Sequence, residues 1–226
     1  MVNSAGADNR ARQPLTKSVV IGVAVELADE TGIAGLTMRK LADHLGVEAM
    51  SLYHHVANKD AILDGMVDAI FAEIEIPVGS GDWKQAMRHR AFSAREVMLR
   101  HRWAIGLVES RVNPGPMTLK HHDAVIGCLR ASGFSIALAA HAFSLLDSYV
   151  YGFVLQELNL PFSNSEELEV VAEGIMEAMP VEQFPHFTEM IVGHALKPRY
   201  SYANEFVFGL DLILDGLDRA LADTEP

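Results

Sequence analysis

Residues 32–63 read GIAGLTMRKLADHLGVEAMSLYHHVANKDAIL. Their apolar positions recur at three- and four-residue intervals, the period of a helix, with glycines as interruptions. Thr37 is placed to cap a short helix whose Leu41, Ala42 and Leu45 face inward. Gly46 breaks that helix, and Glu48 to His55 form the next. Ala42, Gly46 and Leu52 supply the three things a helix-turn-helix requires: a small residue where the helices cross, a glycine at the turn and an apolar residue to seal the pair. The outward surface is then Glu48, Ala49, Met50, Ser51, Tyr53, His54 and His55. A plain helical hairpin satisfies the same spacing.

On the N-terminal side, Val20, Ala24, Leu27 and Ala28 stack on one face of a helix that ends near Thr31 and Gly32. On the C-terminal side, Asn58 caps a helix carrying Ile62, Leu63, Met66, Ile70 and Ile74 until Pro77 stops it. Residues 78–82 read as a short linker. Helical periodicity then continues over roughly 82–109, 117–132, 135–158, 165–178, 181–196 and 200–222, with Pro- and Gly-containing separators. No stretch alternates with period two, so the fold class is all-α. The helices at 135–158 and 200–222 are apolar over most of their circumference and must be covered on both sides. Either they are internal to the chain or they pair with their copies across a two-fold axis as a four-helix interface.

Half of the 226 residues are hydrophobic, an ordinary globular composition. One cysteine, Cys128, permits neither an internal disulfide nor a paired-cysteine zinc site. The N-terminal MVNSAGADNRARQP lacks an apolar core and is not expected to be a secretory signal. The apolar run from Ala131 to Leu146 contains His141 and precedes Asp147. It reads as too short and polar to span a bilayer, so no membrane partner and a reducing cytoplasm are expected. The net charge of −12 disfavours nucleic acid as a partner, but its distribution does not. Residues 1–59 hold six basic and six acidic side chains, so residues 60–226 carry the whole imbalance.

The segment 32–63 resembles the DNA-binding region of the tetracycline-repressor (TetR) family. The likeness lies in the GLT entry, RKLA, LGV, SLYHHV and NKDAIL. Gly133-Phe-Ser135, Gly152 to Leu155 and FVFGLDLILDGLDRAL resemble the dimerisation helices of the tetracycline-repressor-like class. The resemblance implies a flexible tail over 1–14 and a three-helix DNA-binding domain over 15–60. It implies a larger ligand-binding and dimerisation domain over 61–226, with the helix near 59–76 connecting the two. It further implies that Arg39 reaches a base edge, with a surface charge as the alternative, and that Thr37 and Lys59 meet phosphate. Glu48, Ala49, Met50 and Ser51 would meet the floor of the major groove, and Tyr53, His54 and His55 the backbone. Arg10, Arg12 and Lys17 would add a further backbone grip or belong to the tail. The partners implied are a palindromic double-stranded operator, a second copy of the chain and a small-molecule effector.

Where drug-binding members of the family hold two histidines and an asparagine, this chain has Val108, Glu75 and Arg90. Tetracycline and its magnesium are therefore not expected, and neither is any metal or cofactor. An apolar effector cavity is expected instead, lined by Met87, Arg90, Met98, Val108, Val125, Ile126, Leu129, Phe143 and Tyr151. Asp147 interrupts an apolar helix and needs a partner: Arg90, Arg95, a ligand or the other subunit. His121, His122 and Asp123 read as a solvated helix face more readily than as a metal site. No nucleotide-binding, zinc-protease or serine-hydrolase motif is present, so an enzyme is not expected. The reading is a ligand-responsive repressor; the alternatives are a DNA-binding regulator without an effector, and an activator.

Overall fold

The computed structural model describes residues 14–77 and 81–223, which places Arg10, Arg12 and most of the 78–82 linker outside the described residues. Among the described residues there is helix and no strand. The head consists of α1 (Lys17–Thr31), α2 (Met38–Leu45) and α3 (Ala49–Leu52), followed by α4 (Lys59–Glu73). The body comprises α5 (Trp83–Arg100), α6 (Ile105–Val108), α7 (Pro116–Ala131), α8 (Ile136–Leu158), α9 (Ser165–Ala178), α10 (Pro185–Met190) and α11 (Tyr202–Ala222).

Side chains start most of these helices where the sequence puts a short polar residue. Thr16, Thr37, Asn58, Asp82, Ser135 and Asn164 each accept a backbone N–H from the first turn that follows. Gly46, in the left-handed region at φ 64°, ends α2 and turns the chain toward α3. Gly65 lets α1 and α4 approach: a Cβ there would stand 2.6 Å from Cδ1 of Ile21.

Helix α4 packs on α1 of the head and on α5, α6 and α7 of the body, burying Ile62, Met66, Val67, Ile70 and Phe71. In the body, α8 packs against α5, α7 and α11. Its inner face is Ala139, Ala142, Leu146, Val150 and Val154, and that of α11 is Phe206, Leu210, Leu214 and Leu217. Leu210 and Phe153, which the sequence pattern leaves free to face a partner, are buried within the chain. The faces left uncovered carry Ile136, Leu145 and Leu155 on α8, and Phe208 (66 % exposed) and Leu212 on α11. By length and composition α8 could cross a membrane, contrary to the expectation from the shorter run that ends before Asp147. One of its faces is committed to the core.

Three segments depart from the expected helices. The 82–109 helix stops at Arg100, because His101 turns inward to bond Asp29 of α1 and Glu73 of α4. The 48–55 helix is one turn, Ala49–Leu52, continued by tight turns that bring the N–H groups of His55 and Val56 to the Leu52 carbonyl. The 181–196 helix divides into a 3₁₀ turn, α10 and a π-turn at Ile191–Ala195. Pro185 holds Phe184 out of the helical region and forces the first break.

The N-terminus of α7 is held from another helix. Asp68 of α4 accepts from the backbone N–H groups of Met117 and Thr118, both at 2.8 Å, and from the Thr118 hydroxyl at 3.1 Å. Asp68→Ala leaves those donors without their acceptor. The expected loss of stability is about 2 kcal/mol, read from urea unfolding.

Candidate functional site

The head presents a polar surface on a small apolar base. Ala42 and Leu52 are buried, and the Val47 N–H bonds the Ala42 carbonyl at 3.0 Å across the Gly46 turn. Of the ten residues proposed to meet DNA, Thr37, Arg39, Glu48, Met50, Tyr53, His54 and Lys59 are exposed. Ala49, Ser51 and His55 are half-buried. Thr37 is the N-cap of α2, its hydroxyl accepting from the Lys40 N–H, and Arg39 projects from the first turn. Met50, on α3, is a large apolar side chain left 73 % exposed. Tyr53, His54 and His55 lie in the turns after α3 rather than on a continuing helix. Lys40, exposed beside Arg39, adds a basic group that the sequence analysis did not single out.

The body contains a cavity of about 360 Å³ between α4, α6, α7 and α8. Val108, Phe143, Asp147 and Tyr151 line it as expected residues. Met87, Met98, Val125 and Leu129 are fully buried core and do not line it, and Ile126 points outward to solvent. Inward periodicity cannot separate a core position from a cavity wall, which is why the four core residues do not behave as expected; Ile126 lies on the opposite, solvent side of α7, and Arg90, also expected here, does not line this cavity but pairs with Asp147 from behind its wall. Val67, Phe71, Arg111, Thr118 and His122 also line it, and Glu109, Asn113 and Pro114 between α6 and α7 complete the wall. The signal that locates two of them is the spacing of Thr118, His122, Val125 and Leu129 on one face of α7.

His121 and His122 are not a solvated face. His121 is fully buried with its ring 5.3 Å from Phe71, while His122 sits edge-on to Phe143 at 5.2 Å. Asp123 is exposed, and no group of three potential ligands forms among the described residues. Asp147 pairs with Arg90, whereas Arg95 is taken by Glu157. Arg90, 2 % exposed, also donates from Nε to His121 Nε2 at 3.0 Å. Arg90 Nη1 and His121 Nδ1 find no partner among the described residues. Buried donors left this way cost about 1–3 kcal/mol each.

Burial, reinforced by the Arg90 and His122 charges, lowers the His121 pKa to about 3, so the ring is neutral. Burial also lowers that of His122, aided by Arg90 and opposed by Asp147 and Glu109. The Tyr151 hydroxyl is pushed up by burial and by Asp147.

The cavity wall is bonded to α4. Arg111 donates from Nε to Asp64 at 2.6 Å and from Nη1 to Asp60 at 3.2 Å, and Thr118 is held by Asp68. A separate contact joins the body to α1: His101 Nδ1 bonds Asp29 at 2.8 Å, and the Trp103 indole N–H donates to the same carboxylate at 2.6 Å.

Residues 20–66 match the family model described as bacterial regulatory proteins, tetR family, and residues 77–221 match the tetracyclin repressor-like C-terminal domain. The chain belongs to the tetR family of bacterial regulatory proteins. An HTH-type transcriptional regulator of Saccharopolyspora erythraea is 39 % identical over 150 residues, covering 66 % of this chain and 64 % of that protein. The match thus spans less than two thirds of that relative. The HTH-type transcriptional repressor DrrR1 of Streptomyces coeruleorubidus is 29 % identical over 92 % of this chain and 79 % of its own. Among solved structures, apo ActR of Streptomyces coelicolor superposes with a TM-score of 0.78 at 26 % identity, covering 94 % of this chain and 99 % of ActR. ActR in complex with actinorhodin gives 0.76 at 27 % identity, covering 92 % and 99 %.

The neutral His121 makes stability depend on pH with a defined sign. Its folded pKa lies below the unfolded value of 6.5, so its contribution is complete above pH 6.5 and is lost as pH falls toward about 3. Over that window the loss is about 1.4 kcal/mol per pH unit. His121→Leu is expected to flatten the decline, measured by urea unfolding at pH 7, 6 and 5.

Proposed function

We propose that this chain is a homodimeric transcriptional repressor that releases a pseudo-palindromic operator when a small molecule fills the body cavity. The observation that carries the reading is the placement of α4. It begins three residues after the turns at 53–55, and its acidic residues bond the wall of the cavity. Filling the cavity displaces the 109–118 segment, Arg111 and Thr118 carry that displacement into α4, and α4 moves the helix that meets DNA. Two arrangements of different DNA affinity are all that such a response needs. The actinorhodin-bound ActR and the repressor DrrR1 support a small-molecule response and a repressing sense. The domain division follows the same lines: tail to residue 14, head over 15–60, body over 61–226. This reading does not favour tetracycline with magnesium as the effector, since Val108 and Glu75 stand where drug-binding members of the family hold a magnesium-ligating and a drug-contacting histidine.

The second copy is supported by the uncovered apolar faces of α8 and α11, whose opposite faces are already packed in the chain. Phe208→Glu is expected to convert a dimer into a monomer by light scattering while helical content is retained. A wild-type chain that is monomeric at micromolar concentration overturns the interface.

In the head, Arg39 reads a base, and Thr37 and Lys59 hold phosphate. Glu48, Ala49, Met50 and Ser51 approach the groove floor, with Tyr53, His54 and His55 on the backbone. Arg39→Ala is expected to cost about 1–3 kcal/mol of operator affinity and to relax preference at one base pair per half-site. Lys59→Ala weakens all duplexes alike and reduces the salt slope by about 0.9 for each phosphate that is no longer neutralised. Titrations of operator variants at several salt concentrations decide the matter. A uniform weakening by Arg39→Ala together with altered base preference in Lys59→Ala reverses the assignment.

A further inference from the structure

The face of the head that is given to DNA carries an apolar patch. Met50 is 73 % exposed and Tyr53 46 % exposed, and among the described residues of the head no other large hydrophobic side chain is left in solvent. Met50 belongs to α3, and Tyr53 follows its last residue in helical conformation, at φ −69° and ψ −11°. Residues three apart in that conformation stand on one side of the helix. Leu52 turns the other way and is fully buried in the base of the head. Around the patch the surface is polar, with Glu48, Ser51 and His54 as neighbours in the chain.

An exposed thioether chain gains from a partner only where the partner is apolar. Phosphates offer charge, and a methionine neutralises none of it. Along the floor of the major groove the base edges offer donors and acceptors, with one apolar group among them, the 5-methyl of thymine. Methionine is unbranched and polarisable, so its tip adapts to a target as small as one methyl group. The ring of Tyr53, on the same side of the turn, widens the apolar surface beside it.

We propose that Met50 is a specificity-determining residue that reads the 5-methyl group of a thymine, at one base pair of each half-site separate from the pair assigned to Arg39. The assignment rests on the reading of the head as a major-groove binder. A cytosine methylated at C5 carries the same apolar group on the same ring carbon. The contact therefore makes operator binding sensitive to base methylation: at this position thymine and 5-methylcytosine satisfy Met50, whereas uracil and unmodified cytosine leave it facing an empty edge.

The test uses the full chain and duplexes that it selects from a random pool. Each thymine of the selected half-site, on either strand, is replaced in turn by 2′-deoxyuridine in both half-sites at once, which removes the methyl groups and nothing else. At one thymine the replacement is expected to weaken wild-type binding about tenfold, since two methyl contacts are lost together. In Met50→Ala the same replacement is expected to change affinity by less than about twofold, because the contact it removes is already gone. Met50→Ala is also expected to bind the thymine duplex about tenfold more weakly with an unchanged salt slope, as no phosphate contact is given up. At the same position 5-methylcytosine is expected to bind wild type about tenfold more tightly than cytosine, and Met50→Ala equally. Circular dichroism establishes that the variant is folded, as its exposed position implies. A selected half-site without thymine, tolerance of deoxyuridine at every thymine by wild type, an equal loss in Met50→Ala, or a smaller salt slope in Met50→Ala overturns the proposal. Each of these leaves the DNA-binding reading standing, because a duplex is still selected and bound. A chain that selects no duplex overturns that reading, and the proposal with it.

Discussion

The acidic edge of α4 is the constraint on which the arrangement of the molecule depends. Asp60, Asp64 and Asp68 follow one another at the spacing of a helical turn, and all three are engaged by the segment between α6 and the start of α7. The opposite side of α4 packs its apolar residues against the head. One helix therefore belongs to two packings, and neither can shift without the other responding. An apolar contact alone would allow sliding at small cost, since dispersion is non-directional. Bonds from a carboxylate to two backbone N–H groups and to a guanidinium fix register as well as distance.

The interior of the body follows the opposite logic. Arg90, His121 and Asp147 place a cation, an imidazole and a carboxylate where apolar residues of similar volume would pack at no desolvation cost. A chain selected for stability alone has little use for such a group. The cost falls beside a cavity, one wall of which is Asp147.

The head was legible in the sequence because its determinants are local. A cap, a glycine with positive φ and an apolar residue at fixed offsets specify the motif without help from the rest of the chain, as Thr37, Gly46 and Leu52 show. The helix ends that escaped reading are those set from a distance. Nothing near His101 in the sequence announces that α5 stops there; the reason lies at Asp29 and Glu73, on two other helices. The cavity was half legible for the same cause. Val108, Phe143, Asp147 and Tyr151 point inward and happen to face open space, while Met87 and Leu129 point inward and meet neighbours. Hydrophobic periodicity reports the side of a helix and says nothing of what stands opposite. His121 and His122 illustrate the limit from the other direction: a polar pair on a helix reads as surface until the partners that bury it, Phe71 and Arg90, are known.

The bonds from His101 and Trp103 to Asp29 give the head a second point of attachment on α1, at the far end of α4 from Asp60, where His101 also meets Glu73. A rigid body fastened at one place can tilt in any direction, and a small push at the joint then scatters into many orientations. Fastened at two places it retains one degree of freedom, rotation about the line through them. On the proposed reading, the DNA-facing surface of the head would travel along an arc fixed by Asp29 at one end and α4 at the other. In a symmetric pair of chains those arcs are related by the two-fold axis, so the separation between the two reading surfaces becomes a single coordinate that lengthens or shortens. A device with one coordinate needs only one well-placed displacement to drive it, and the 109–118 segment at the edge of the cavity is in position to supply it.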